Sequence, residues 1–170
     1  PTFFRSVVWG DTAKESYDRT ISAINEAEAY IQSKQDTPFG GEKVRSLTDA
    51  ERKDLLSAVM PVIRGQVSQQ EKALLTYDDG ENILEFVNSH DAKELSQVGA
   101  ACPDHLVHTK RVPLFISWEP DANDIDGLAE KLMEGIASYK EEYQAYFETN
   151  KSEGDIMFDS STRVILIPGI

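Results

Sequence analysis

The chain has 170 residues, 40% of them hydrophobic and 28% charged, which argues for one globular domain, or one and a small appendage, and against disorder. Its formal net charge of −13 sets it against phosphate backbones and anionic lipid, so neither nucleic acid nor a membrane is an expected partner, and the one compact basic stretch, His108 to Arg111, is too small for a nucleic-acid footprint. No apolar run approaches the roughly 20 residues of a membrane span, and the lone cysteine, Cys102, which has no partner for an internal disulfide, fits a reducing cytoplasm.

Residues 3–9 are apolar and β-branched and end at Gly10, the pattern of a short strand. A helix is predicted over 13–33. Thr12 and Glu15 have the spacing of a capping box, and Tyr17, Ile21, Ile24, Ala27 and Ile31 make one apolar stripe opposite Glu15, Arg19, Ser22, Glu26 and Ser33. A polar loop over 35–44 contains Phe39-Gly40-Gly41, a lone glycine pair that reads as a turn rather than a phosphate cradle. Thr48 and Glu51 open a second helix with Leu55, Leu56, Val59, Met60, Val62 and Ile63 on its buried face, and Pro61 is expected to kink or end it. Residues 66–70 are the best internal boundary.

A strand over 73–77 then runs into the turn Asp78-Asp79-Gly80, and short helices follow around Ile83–Val87 and over 92–98. Asp78, Asp79 and Glu81 form an acidic turn that reads as solvated rather than cation-binding. Residues 112–118 are a strand with Pro113 near its start, 121–124 a turn, and 125–148 a long helix on which Leu128, Leu132, Ile136, Tyr139, Tyr143 and Phe147 recur every three or four residues. Tyr139, Tyr143, Tyr146 and Phe147 read as packing rather than recognition. A polar loop over 151–161 leads to a strand over 163–167 and then Pro168-Gly169, which can open a ligand loop at a strand's carboxyl end.

The order of elements in the second half predicts an α/β fold: three layers, a mostly parallel sheet with crossover helices, and a helical first half. The chain begins within one predicted strand, without Met, and ends just after another. Buried parallel strands need neighbours and cover, so a single domain belonging to a longer polypeptide is the expectation.

Functional residue types are densest over 102–110, where Cys102, Asp104, His105, His108, Thr109 and Lys110 stand together. His105 and His108 are three apart, which on a helical turn shares one face, but no second ligand pair follows. Cys102 has His105 three residues on, though a catalytic thiolate usually takes its base from a distant segment. Asp104, His105, Thr109 and Lys110, with Arg111, are candidates for holding a substrate phosphate or carboxylate. Structural use of the same residues competes with all three: Asp104 capping a turn, His105 bonded to backbone, Lys110 in water. No GxGxxG or phosphate-binding loop occurs.

Trp9-Gly10-Asp11-Thr12-Ala13-Lys14-Glu15-Ser16-Tyr17 resembles a segment of class II aldolases, and more closely the bifunctional rhamnulose-1-phosphate aldolase/short-chain dehydrogenase family. Pro103-Asp104-His105 with Thr109-Lys110 and Pro113-Leu114 resembles that family's middle region, and Arg163 to Gly169 its continuation. The resemblance implies a parent enzyme with two activities. Its aldolase part uses zinc to split a sugar 1-phosphate into dihydroxyacetone phosphate and lactaldehyde, and its dehydrogenase part oxidises the aldehyde with NAD. It implies adjoining aldolase and dehydrogenase domains as partners and an isolated chain without zinc, NAD or activity, and it leaves open a homo-oligomer and a non-catalytic spacer or assembly module. The family's His-Gly pair before Trp-Gly is replaced around Phe4, Arg5 and Ser6, and no histidine precedes His90, so no metal ligand and no NAD-binding residue is carried over.

Overall fold

A computed structural model describes residues 7–34, 40–69, 71–100 and 102–170. In chain order the elements are α1 (Ala13–Gln32), α2 (Asp49–Val67), α3 (Glu81–Val87), α4 (Ala92–Ser96), α5 (Pro103–Thr109), β1 (Leu114–Phe115), α6 (Ile125–Asn150) and β2 (Ile165–Leu166).

The long helices begin where their caps place them. The Thr48 hydroxyl accepts from the Glu51 N–H (3.3 Å) while the Glu51 carboxylate accepts from the Thr48 N–H (2.8 Å), so the capping box is reciprocal. Those bonds, the backbone one first, hold the Glu51 carboxyl below its usual range. Thr12 accepts from the Glu15 N–H (3.1 Å), and Glu15 reaches back to the Asp11 N–H (2.9 Å). Asp124 caps α6 through the Gly127 N–H (3.2 Å). α2 continues through Pro61 to Val67 rather than ending there.

The core is α2 against α6, closed by the strand pair. Leu55, Val59, Leu128, Leu132 and Ile136 are fully buried, joined by Leu47, Leu56, Ile63, Val67, Ile116, Trp118, Ile167 and Ile170. On α6 the buried positions Leu128, Leu132, Ile136 and Tyr139 repeat at helical spacing. Gly135 lets β1 come close: a Cβ there would stand 3.2 Å from the Ile116 side chain. Lys140 ties α6 to the end of α2 by donating to the Gln66 carbonyl (2.7 Å) and to Gln69 (3.1 Å). Arg52, buried on α2, donates to the Leu47 carbonyl (2.8 Å), Asp49 (2.7 Å) and Asp79 (3.2 Å), which fixes the 78–80 turn over the helix start.

The three-layer, mostly parallel α/β sheet is not formed. The described sheet is one parallel pair, with Leu114 opposite Ile165 and Phe115 opposite Leu166, and apart from an isolated antiparallel bridge between Lys43 and Ser89 the rest of the described chain is helical or irregular. β1, α6 and β2 make a single βαβ unit. Residues 73–77 show why the expectation failed. Ala73 and Leu75 pack on the core while Leu74 is 92% exposed, so the segment alternates like a strand but pairs with none. Alternation reports which face is buried; a strand also needs a neighbouring backbone.

β1 is shorter than predicted for local reasons. Pro113 has no N–H to give, and beyond Phe115 the Trp118 N–H bonds to the Ile116 carbonyl (3.0 Å), a tight turn that drops the indole into the core. β2 stops because Ile167 to Ile170 is a turn, closed by the Ile170 N–H on the Ile167 carbonyl (3.2 Å) with Gly169 at φ 85°. The strand predicted over 3–9 lies partly outside the described residues, and its remainder, 7–9, is irregular.

α1 behaves differently from the other long helices. It buries no residue, and Tyr17 (65% exposed), Ile24 (56%) and Ile31 (61%) of its apolar stripe face outward.

Candidate functional site

The two strands are parallel, so their carboxyl ends open on the same side, where ligands of open α/β sheets commonly bind. A cleft of about 550 Å³ lies there. Phe115, Ser117, Trp118 and Glu119 enter it from the end of β1 and Pro168 from the end of β2. Ser89 and His90 come from the α3–α4 corner, Lys93 from α4, and Asp124 and Lys131 from the start of α6.

Backbone bonds hold this arrangement. The 40–44 segment lies against 88–91 through the Val44 N–H to the Asn88 carbonyl (2.6 Å) and the His90 N–H to the Glu42 carbonyl (2.9 Å), which sets His90 at the rim. Buried Asn88 accepts from the Gly169 N–H (2.6 Å), joining the α3–α4 corner to the turn after β2. Gln97 donates to the Pro113 carbonyl (3.1 Å), holding α4 beside the start of β1.

The charges in the cleft are unevenly committed. Asp124 is used twice, by the Trp118 indole N–H (3.1 Å) and by the cap of α6. Lys93 donates to the neutral Ser117 hydroxyl (3.0 Å). Among the described residues neither Lys93 nor Lys131 stands within 4.0 Å of a carboxylate, although acids outnumber bases by 30 to 17 in the sequence.

The residues singled out from sequence lie elsewhere. Cys102 precedes α5, and Asp104, His105 and His108 are exposed along it. The Thr109 hydroxyl donates to the His105 carbonyl within the same helix (2.8 Å). Lys110, with φ at 65°, leaves α5 and turns inward. It is only 6% exposed, its ammonium sits 3.6 Å from the centroid of the Tyr143 ring, and it donates to the Asp159 carbonyl. Lys110 therefore serves as a tie between α6 and the 151–162 loop, while Asp104 and His105 face water. Among the described residues no three His, Cys, Asp or Glu side chains converge as a metal would require.

The Lys110 cluster has its own electrostatics. Burial, helped by Arg163, lowers the ammonium from the ordinary 10.5 to about 8, against the opposing pull of Asp159. Asp159 is itself engaged by Arg163 (3.4 Å) and the Ser161 N–H (3.0 Å). Burial also raises the Tyr139 and Tyr143 hydroxyls above their usual range. The Tyr139 hydroxyl donates to the Val112 carbonyl (2.8 Å).

Sequence reasoning missed His90, Lys93, Ser117 and Lys131. They are distant in the chain and meet only once β1, β2 and α6 are placed; Pro168-Gly169 at a strand's carboxyl end was their one local sign.

No helix among the described residues is long and apolar enough to cross a membrane. No solved structure matches the chain. Over 166 residues, 96% of its length, it is 52% identical to a Bacillus subtilis (strain 168) protein named "Uncharacterized oxidoreductase YuxG", and it spans about a quarter (24%) of that relative's length. Residues 54–170, which include most of α2, both strands, α6 and nearly all of the cleft, match the family model "Aldolase class II, second domain", and the chain belongs to that family.

Proposed function

We propose that the chain is the second domain of the aldol-cleaving part of a longer, bifunctional enzyme. That enzyme splits a sugar 1-phosphate of the rhamnulose type, and a nicotinamide-dependent dehydrogenase part oxidises the aldehyde released. The observation that carries the reading is the family match over 54–170, to which the oxidoreductase name of the longer relative adds the second activity.

Class II aldol cleavage calls for a divalent metal, zinc in this proposal, to stabilise the enediolate charge. The described residues do not fit such a centre, because no set of three ligating side chains converges among them. In this proposal zinc and NAD belong to other parts of the parent, and the chain contributes binding surface and support. The cleft beside β1 and β2 also favours this reading over a spacer, which needs no concave polar surface. The exposed stripe of α1 favours an assembly role in addition.

The test is made on the longer parent and on the 170-residue chain in parallel. The parent is expected to release dihydroxyacetone phosphate from rhamnulose 1-phosphate, to reduce NAD in the same mixture, and to lose cleavage on chelation. The 170-residue chain is expected to do neither. Stoichiometric zinc with aldol cleavage in the 170-residue chain, or a parent inert toward sugar 1-phosphates, overturns it.

A further inference from the structure

We propose that the outer edge of β2 is the docking surface for an extended, apolar segment of the parent. The segment is the chain that continues past Ile170, and it folds back as an antiparallel strand between β2 and residues 75–78. The inference rests on the longer parent proposed above, in which the dehydrogenase part carries the chain onward, and not on the reaction that parent performs.

Three observations converge. First, β2 is paired on one side only. The Leu114 N–H bonds to the Val164 carbonyl (2.9 Å) and the Ile116 N–H to the Leu166 carbonyl (2.9 Å), so the residue between, Ile165, turns its N–H and C=O away from β1. Among the described residues neither group has a partner.

Second, that edge gives on to an apolar hollow of about 570 Å³. It is lined by 162–167, by 75–78 and by Leu56, Met60, Ile63 and Val67 of α2, with no residue of β1. The backbone over 74–77 is likewise unbonded among the described residues. Backbone polar groups beside apolar walls are costly until they are paired. Two uncommitted backbones beside one apolar surface suit an added strand, whose main chain satisfies both walls and whose apolar side chains meet α2.

Third, the turn after β2 aims the chain into this hollow. Ile167 to Ile170 has Pro168 and Gly169 (φ 85°) at its centre and is closed by the Ile170 N–H on the Ile167 carbonyl (3.2 Å), which reverses the chain. Ile170 itself lines the hollow. Bonded and non-bonded positions alternate in an antiparallel pair. With Ile167 and Ile170 as the closing pair, the next bonded position sets Ile165 against the second residue past Ile170. Ile165 is the residue whose N–H and C=O are free, so the register of the turn and the open groups of β2 agree. Leu166, committed to β1, falls at the non-bonded position between them. Pro-Gly turns of this hand splay a hairpin, so the pairing with β2 is short.

The test is amide hydrogen exchange, resolved by residue, on the 170-residue chain and on the parent. The Ile165 amide is expected to exchange at least about 100-fold more slowly in the parent, and the Thr76 amide more slowly as well. The Leu114 and Ile116 amides, bonded to β2 in both, should change little. Unaltered exchange at Ile165, or slowing there no greater than at Leu114 and Ile116, overturns the proposal, and unaltered exchange at Thr76 overturns the place beside 75–78. Ile165→Pro gives an independent reading, because it removes the N–H that faces the hollow and none that β1 uses. It should lower the unfolding midpoint of this domain by at least about 5 °C more in the parent than in the 170-residue chain, while Ile165→Val shifts both alike. An equal shift with Ile165→Pro overturns the pairing. Cleavage is assayed separately: a parent with protected Ile165 and no action on sugar 1-phosphates keeps this inference and removes the proposed reaction, and the reverse result does the opposite.

Discussion

Lys110 is where a single residue leaves the clearest thermodynamic trace. Its ammonium is lowered to about 8 when folded, against 10.5 in an exposed chain. Between those values the unfolded chain holds more protons than the folded one, so stability rises with pH through that window. Below about pH 8 both states are charged, and burial costs the fold a constant amount on the order of 2 kcal/mol once water at the cluster's rim is allowed for. Above pH 10 the raised Tyr139 and Tyr143 act in the opposite direction, since the unfolded chain then loses protons first. Denaturation in urea at pH 7, 8, 9 and 10 should show stability climbing, and Lys110→Met should flatten the climb. A wild-type profile as flat as the variant's contradicts the burial account. Two glycines at similar φ separate strain from crowding. Gly154, at φ 92°, has nothing near an added Cβ, and Gly154→Ala should cost about 1 kcal/mol from conformation alone. Gly169, at φ 85°, would put that atom 2.7 Å from Pro120, so Gly169→Ala should cost at least about 1 kcal/mol more, read from the urea midpoints.

Among the elements, α2 and α6 carry the fold. Leu132 has no exposed surface and lies in the middle of their contact. Leu132→Ala should therefore cost about 2–5 kcal/mol, against less than about 0.5 kcal/mol for Lys53→Gln on the outer face of α2. Similar losses for the two would mean that the helices do not share the core described. These helices were legible in the sequence because their signals are local. The Thr48 and Glu51 spacing marks the start of α2, and the spacing of Leu128, Leu132 and Ile136 marks one buried face of α6. The sheet was not legible, because pairing is not local. Residues 73–77 have the right alternation and no partner, and the strands over 112–118 and 163–167 shrink to two residues each through Pro113, the turn at Trp118 and the turn at Gly169. The cleft follows the same rule: Lys93 and Lys131 are ordinary surface lysines until the βαβ unit sets them on one opening. Over 102–110 functional residue types are dense in the sequence. Density along the chain does not decide direction, and Lys110 turns away from Asp104 and His105.

At the scale of the molecule, the 47–170 core and α1 are energetically separate. Every residue of the central cluster falls between Leu47 and Ile170, and none is on α1. α1 is held by its own cap, by the Arg19 pairing with Glu15, and by an Arg19 bond to the Trp9 carbonyl (2.9 Å), all between residues close in sequence. Val7 and Val8 lie along the helix beside Ile24, so that segment folds back on α1 rather than on the core. A 20-residue helix on such local terms is marginal in water, because helices draw most of their stability from packing. Two consequences can be measured together. A chain beginning at residue 40 should unfold within about 3 °C of the 170-residue chain, since little buried area is lost. α1 should melt earlier than the core, so its amides should exchange with solvent at least about 100-fold faster than those of α2 and α6. A midpoint lowered by more than about 5 °C, or α1 amides protected like those of α6, would show that the stripe of Tyr17, Ile21, Ile24 and Ile31 is buried in solution. The separation assigned to the molecule would then be wrong.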